Sequence, residues 1–308
     1  MPTPIPTIEW EITTACNYAC SYCVQKSYVS KHGKHCSDET IAAVLPMIAE
    51  LPGTWQIKLI GGEPLLHPRF FELCETLTQQ GHALRITTNF SLPLEKYAQL
   101  AEIAGEYLTS LTASLHLEQV KSVDAFLQKA SAFQRLKSEN TDFSVTSVCL
   151  DETLEALQDV AARCDREGIV FSLQHAKFQT KYITYQRKEV EEFLNSRLLK
   201  NVETLQNANF FGTVCLTGMS FFRILMNGDV KRCYNIQPRL FLGNITKGTF
   251  RRFHAPLPCM SPRCTCTVPA NCGMIQYGER VCRSSFLFTY CAGWFQTLWM
   301  TFARKFLR

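Results

Sequence analysis

Strand-like and helix-like runs alternate from residue 6 to about residue 185, and this rhythm limits the chain to a small set of folds. The strand candidates are IEWEIT (8–13), QIKLIG (56–61), LRITTN (84–89), SLTASLH (110–116), FSVTSV (143–148) and IVFSLQ (169–174). Between them stand the helix-like segments ETIAAVLPMIAEL, PRFFELCETLTQQG, LEKYAQLAEIAG, VDAFLQKASAFQRLK and TLEALQDVAARCDREG. In the last of these Leu154, Leu157, Val160, Ala161 and Cys164 recur at helical spacing, and Gly168 ends the run as a C-terminal glycine does. Strands joined through helices run parallel, so the class is α/β, either an open doubly wound sheet or a partial barrel. In both, chemistry gathers at the C-terminal ends of the strands.

The unusual residues fall at those ends. CNYACSYC (16–23) follows the first strand, GGEP (61–64) follows the second, Asn89 ends the third, and Ser114 with His116 ends the fourth. In the fourth strand Thr112, Ser114 and His116 alternate with Leu111, Ala113, Leu115 and Leu117, the pattern of a strand with one face on a polar cavity. Ser172 and Gln174 follow the same logic on the sixth.

Fifteen cysteines in 308 residues is an odd number, and MPTPIPTIEWEIT has neither the basic start nor the apolar run of a secretory signal. A reducing cytoplasm is therefore expected, where clustered cysteines bind metal more often than they pair. Three cysteines spaced C-x3-C-x2-C can wrap one [4Fe-4S] cluster and leave the fourth iron without a protein ligand, open to substrate or cofactor. Zinc is the rival metal, although a structural zinc site wants a fourth ligand. The loop KHGKHC (31–36) offers His32, His35 and Cys36 as metal ligands, or is a solvated loop. Cys36, Cys74, Cys149 and Cys164 read as packed free thiols.

Cys16, Cys20, Tyr22 and Cys23 match C-x3-C-x-aromatic-C, and Gly61, Gly62, Glu63 and Pro64 supply GGEP in order after the next strand; with these the chain resembles the radical S-adenosylmethionine (SAM) superfamily. The resemblance implies that the methionine end of SAM chelates the open iron, with GGEP meeting its amino group. The reduced cluster then passes an electron into the sulfonium, and a 5′-deoxyadenosyl radical abstracts hydrogen from substrate. Tyr22, Asn89, Ser114 and His116 are the further SAM-contact candidates, and the reaction implies an external one-electron donor such as flavodoxin or ferredoxin.

Past residue 185 the rhythm fades, and residues 211–283 hold seven cysteines. Cys215-x12-Gly228-x4-Cys233, together with NGDVKRC and GNI, resembles the start of the SPASM and twitch extensions, where such residues supply ligands of an auxiliary [4Fe-4S] cluster. The Asn227-Gly228 turn suits a hairpin that carries both cysteines. Downstream, Cys264-x-Cys266-x5-Cys272 departs from that family's pattern, and Gln276 stands where its next cysteine belongs. Cys259 or Cys282 is then the candidate replacement. One auxiliary cluster is expected, with two clusters, or a zinc site with His254, as alternatives. The implied fold is a partial (β/α)6 TIM-like barrel over 6–190, a small cysteine-rich SPASM/twitch-like domain over 211–283, and an apolar, basic C-terminal helix over 284–308.

Residues 211–308 carry 13 Lys and Arg against 2 Asp and Glu, leaving 19 against 25 for the first 210. Such a split suits a phosphorylated substrate, an acidic peptide, a lipid surface, or a solvated basic face. The uncharged run 284–303, flanked by Arg283 and Arg304, reads as a helix lying on an anionic membrane or packing on protein. Nucleic acid is not an expected partner. An auxiliary cluster favours net oxidation or bond formation, and peptide or protein modification is the commonest role among relatives of this architecture. The first strand begins near residue 8, which leaves no room for an N-terminal leader-binding domain and weighs toward the alternative of a small, phosphorylated or sugar-like metabolite. A non-catalytic electron carrier or sensor is a further reading; GGEP opposes it, since such a protein has no use for an open iron beside an amine-binding loop.

Overall fold

The computed structural model describes residues 4–178, 181–198, 209–234, 241–259 and 272–280. In chain order its elements are β1 (Thr7–Thr13), α1 (Asp38–Ala49), β2 (Gln56–Gly61), α2 (Phe70–Gln79), β3 (Ala83–Thr88), α3 (Leu94–Ala104), β4 (Leu108–Leu115), α4 (Val123–Leu136), β5 (Asp142–Cys149), α5 (Leu154–Arg166) and β6 (Val170–His175). There follow β7 (Lys177–Phe178), β8 (Lys181–Tyr182), α6 (Lys188–Arg197), β9 (Thr213–Cys215), β10 (Phe221–Ile224), β11 (Asp229–Lys231), β12 (Phe241–Asn244), β13 (Leu257–Pro258) and β14 (Ile275–Arg280). Two compact units divide the chain: one of Met1–Trp10, Ser37–Trp55 and Lys200–Arg308, the other of Glu11–Cys36 and Gln56–Leu199.

In the second unit β2, β3, β4, β5 and β6 pair in sequential order, each parallel to the next. A helix separates each pair, and right-handed crossovers in a sequential sheet bring successive helices to one face; accordingly α2 packs on α3, α3 on α4 and α4 on α5. The strands therefore alternate. Ile57, Leu59, Ile86, Leu111, Ala113, Leu115 and Val145 are buried on the apolar side. The other side carries Lys58, Arg85, Thr112, Ser144 and Thr146, where Ser144 Oγ donates to Thr112 Oγ1 (3.3 Å) and Gln174 Nε2 to Thr146 Oγ1 (3.5 Å). A hairpin of β7 and β8 follows.

Local chemistry sets the helix ends. Ser122 caps α4 by accepting from Ala125 N–H, with Asp124 in the first turn and Arg135 in the last, each favourable to the helix dipole. After α5, Gly168 takes φ +65°, which a side chain would oppose. Strand boundaries move by only one or two residues from those expected. One shift matters for the site: β3 stops at Thr88 and β4 at Leu115, so Asn89 and His116 lie in the loops just beyond.

The first unit pairs the start of β1 in parallel with β10, Glu9 standing opposite Arg223. These two are buried and form an ion pair at 3.5 Å, and the guanidinium lies 3.6 Å from the centroid of the Tyr234 ring. The antiparallel strands β10 and β11 are joined through Gly228 at φ +80°. A Cβ there would stand 2.9 Å from Thr246 Cγ2, and Asn244 donates to Asn227 O and to Asp229 Oδ1, which ties the NGD and GNI stretches together. A second sheet sets β9 between β13 and β14. Cys264, Cys266, Cys282 and the run 284–308 lie outside the described residues. Among the described residues no helix is long and apolar enough to cross a membrane.

Phe133 is fully buried among Phe90, Tyr97 and Phe143, its ring centroid 5.0 Å from that of Phe143. Phe133→Ala is expected to cost about 3–5 kcal/mol through lost transfer and a residual cavity, read as a lowered urea midpoint at unchanged slope.

Candidate functional site

The segment entering the cysteine loop is held by backbone pairing. Thr14 N–H donates to Lys34 O (2.8 Å), Ser30 N–H to Thr14 O (3.1 Å), Cys16 N–H to Ser30 O (3.0 Å) and Cys36 N–H to Ile12 O (2.7 Å). Residues 31–36 form the solvent-exposed loop, one of the two expectations, with His32 and His35 exposed, and with Ser30 their backbone also braces this segment. Gly33 is needed for the approach, since a Cβ there would fall 2.2 Å from Thr14 O.

The loop after β4 holds the other side. Glu118 Oε1 accepts from Ser21 N–H (2.6 Å) and Gln119 Oε1 from Ala19 N–H (3.1 Å), so two side chains satisfy backbone donors between the cysteines. Tyr22 OH and His116 Nδ1 share a hydrogen bond at 3.0 Å with the rings stacked, and Tyr18 meets His116 edge-on. Ser114 stands half-buried on the polar side of β4, opposite Thr146.

GGEP fits against the same segment. Gly62 N–H donates to Thr13 O (3.0 Å) and Glu63 N–H to Ala15 O (2.8 Å). A Cβ on Gly61 would fall 2.0 Å from Thr13 O, and one on Gly62 would fall 2.3 Å from Ala15 O and 2.9 Å from Cys16 Cβ. Both positions therefore require glycine. Pro64 opens a short helical turn, where its missing N–H costs nothing, and Glu63 caps that turn by accepting from Leu65 N–H at 3.1 Å.

Glu63 is 1% exposed. Besides Leu65 N–H, its carboxylate accepts from Thr88 Oγ1 (2.9 Å) and Asn89 N–H (2.6 Å). Burial pushes its pKa up to about 7, against the three donors, which pull the other way. Asn89 then reaches back to the first loop: its Nδ2 donates to Asn17 Oδ1 (2.8 Å) and to Cys16 Sγ (3.9 Å), while its Oδ1 accepts from Ser91 N–H (3.0 Å). Cys16, Gly61, Gly62, Glu63 and Asn89 are thus brought together by one network.

Cys16, Cys20 and Cys23 are free thiols. Burial pushes Cys20 up to about 12, with Glu118, Cys23 and Cys16 adding to it, and raises Cys16, where Glu63 and Cys23 add. Three thiols within electrostatic reach of one another and of two carboxylates form a site in which negative charge is opposed. A cationic iron core offsets that repulsion as the thiolates form, so the donor set fits an iron–sulfur cluster. Burial lowers the pKa of His116, with Glu118 pulling the other way.

In the first unit Cys215, Phe210, Phe221, Met274 and Ile275 form a small core, against which Cys259, Cys272, Leu216 and Tyr234 pack. Cys259 N–H donates to Thr213 O (2.8 Å), which sets it beside the Cys215 strand. Arg232, the neighbour of Cys233, is 2% exposed and donates to Leu257 O (2.6 Å), Thr217 O (2.8 Å), Pro258 O (3.3 Å) and Cys215 O (3.4 Å). It therefore binds the Cys215, Cys233 and Cys259 segments together. Nothing in the spacing of the sequence pointed to Arg232, Glu118, Gln119 or the Glu9–Arg223 pair; the period-two alternation of Thr7, Glu9, Glu11 and Thr13 with Ile8, Trp10 and Ile12 was the one available signal.

Gly62→Ala is expected to cost about 1–3 kcal/mol, because backbone must shift away from Ala15, and to lower iron uptake on reconstitution while the far-ultraviolet circular dichroism is kept. Glu63 gives a pH dependence whose sign follows from its raised pKa. The folded chain binds the proton more tightly than the unfolded one, so this group's contribution to stability is full below about pH 4.5 and is lost as pH rises toward about pH 7. Urea midpoints of the metal-free protein across that window, compared with Glu63→Gln, should show the wild type losing stability relative to the variant.

The radical SAM superfamily model matches residues 10–164. The AdoMet-dependent heme synthase of Nitratidesulfovibrio vulgaris is 24% identical over 170 residues, which cover 53% of this chain and 46% of the relative. A probable GTP 3',8-cyclase of Methanococcus maripaludis is 29% identical over 175 residues, 55% of this chain and 58% of the relative. The chain spans about half the length of these curated relatives. Among solved structures, anSMEcpe with bound AdoMet superposes with a TM-score of 0.55 at 18% identity, covering 79% of this chain and 78% of that one. Streptococcus suis SuiB bound to the precursor peptide SuiA gives 0.53 at 14% identity, covering 76% and 61%. Likeness at this level of identity establishes the fold, α/β with a largely parallel sheet. With the family model spanning half of the sequence, and with the cysteine and GGEP loops set side by side, the chain belongs to the radical SAM superfamily.

Proposed function

We propose that the chain reductively cleaves SAM and uses the resulting radical to modify a peptide or protein side chain oxidatively. The observation that carries the first half is the network through Glu63 and Asn89, which joins the cysteine loop, GGEP and the end of β3 into one preorganised site. Cys16, Cys20 and Cys23 would hold a [4Fe-4S] cluster with one iron left for SAM. A cluster so bound would supply the single electron needed for reductive cleavage of a carbon–sulfur bond of SAM.

The remaining work belongs to the chain. Gly61 and Gly62 let backbone approach the cysteine loop, and Glu63, held by three donors, fixes the loop that meets the amino group. Tyr22 and His116 offer a stacked aromatic pair, and Asn89 and Ser114 offer polar groups for the ribose. The polar side of β4 to β6 forms the floor for substrate, within a partial barrel that we assign to residues 6–190. We assign residues 211–283 to a SPASM/twitch-like domain whose cysteines would hold one auxiliary [4Fe-4S] cluster, a group that would supply an acceptor for the second electron. Cys215, Cys233, Cys272 and Cys259 are its candidate ligands, with Cys264 and Cys266 the other members of the set. An external one-electron donor such as flavodoxin or ferredoxin completes the reaction.

The peptide reading is supported by the likeness to SuiB, whose structure holds a precursor peptide. A second reading, a phosphorylated metabolite, is favoured by Lys58 and Arg85 on the polar side of the sheet, by the basic composition after residue 211, and by relatives named GTP 3',8-cyclase. Anaerobic reconstitution, reduction with dithionite and addition of SAM should yield 5′-deoxyadenosine, with about eight irons per chain if one auxiliary cluster is present. An intact cluster that yields none would sink the radical reading, and Cys16→Ala should abolish the product while leaving about four irons.

A further inference from the structure

Phe90, the residue after Asn89, has φ +54°, and among the described residues it is the one non-glycine residue with positive φ. A side chain opposes that conformation, so its surroundings must impose it. Those surroundings are specific. The Phe90 ring lies 4.2 Å from Tyr97, 5.5 Å from Phe126 and 6.0 Å from Phe143, centroid to centroid. Its N–H donates to Thr88 Oγ1 (3.0 Å), and Leu92 N–H donates to Tyr97 OH (3.2 Å).

Lys129, on α4, closes the arrangement. Its ammonium donates to Phe90 O (2.6 Å) and Leu92 O (2.7 Å) and stands 4.9 Å from the Phe90 ring centroid and 5.7 Å from that of Tyr97. No carboxylate pairs with it among the described residues. An ammonium withdrawn from water without a counter-ion is costly, and burial lowers its pKa accordingly. Two charge-assisted bonds to carbonyls and two aromatic faces are what it receives in exchange, and both carbonyls belong to the one turn that carries Asn89.

We propose that Lys129 and Phe90 are positioning residues for the SAM site: they hold the turn after β3 in the backbone conformation that aims Asn89 at both Cys16 and Glu63. The inference rests on the proposed reading of those two residues as parts of the cluster and SAM site. Asn89 spends its backbone N–H on Glu63 and its side-chain amide on Asn17 and Cys16. A relaxed φ at Phe90 swings the peptide that follows Asn89 and frees Ser91 N–H, which now fixes the Asn89 amide. The N–H donated to a cluster thiolate also favours the more negative, reduced state, so the same turn bears on the reduction potential.

The test compares full-length, anaerobically reconstituted wild type with Lys129→Met, Phe90→Gly and Phe90→Ala. SAM affinity is read by equilibrium dialysis of labelled SAM, and the midpoint potential by paramagnetic resonance during redox titration. Phe90→Gly and Phe90→Ala both lose the ring and its stability, but glycine accepts the positive φ and alanine does not. Phe90→Gly should therefore keep the wild-type affinity, while Phe90→Ala should lose roughly tenfold, the worth of one hydrogen bond to a charged group. Lys129→Met should lose a similar factor and shift the potential downward, which a role in stability alone would not do. Wild-type affinity in both Phe90→Gly and Phe90→Ala overturns the role of Phe90; unchanged affinity and potential in Lys129→Met at a lowered Tm overturn that of Lys129. A wild type that assembles its cluster and yet binds no SAM overturns the proposed function instead, and this inference with it.

Discussion

A buried carboxylate needs donors, and the geometry of the site follows from how Glu63 finds them. Left unpaired it would cost several kcal/mol as an ion or force protonation. It is met by Leu65 N–H from its own turn and by Thr88 Oγ1 and Asn89 N–H from the end of the next strand. Those three bonds fix the loop after β2 to the end of β3. The same loop is fixed to the cysteine segment through Gly62 N–H and Glu63 N–H, over contacts too short for any Cβ. Three separate stretches of chain thus converge on one acidic residue through its carboxylate and its N–H, and none can move without leaving a polar group unsatisfied.

The charge pattern around the cysteines has the opposite character. Glu63 and Glu118 both raise thiol pKa values that burial has already raised, so the loop resists becoming anionic by itself. Glu118 is nevertheless fixed there by Ser21 N–H, as Gln119 is by Ala19 N–H. Backbone donors between the cysteines are thereby satisfied by the neighbouring loop. An iron core held there would offset that repulsion as the thiolates form.

Much of this was legible in order of sequence. The strand and helix periods located all of β1 to β6 and α1 to α5, because alternating burial on a strand and a stripe on a helix are written in the residues themselves. Cysteine spacing and GGEP located the first two loops. What spacing could not reveal was the support behind them. Residues 31–36 read as metal ligands or a solvent-facing loop; they do face solvent, but their role as a backbone brace stayed hidden, because main-chain pairing leaves almost no side-chain signature. Cys259 was only one of two replacements for a missing ligand, and its packing with Cys215 and Cys272 depends on the register of β13 on β9.

Sequence by itself determined the class of fold, the cysteine loop and the superfamily, since each rests on residue type and local spacing. Tertiary structure alone decided that Asn89 touches Cys16 across 73 positions of chain, that Lys129 on α4 holds the turn carrying Asn89, and that Arg232 gathers three cysteine segments. The reason is physical: a lysine or arginine satisfied by carbonyls has no complementary residue in the sequence to announce it. Every residue offers a carbonyl, and only the folded chain selects which ones a buried cation meets.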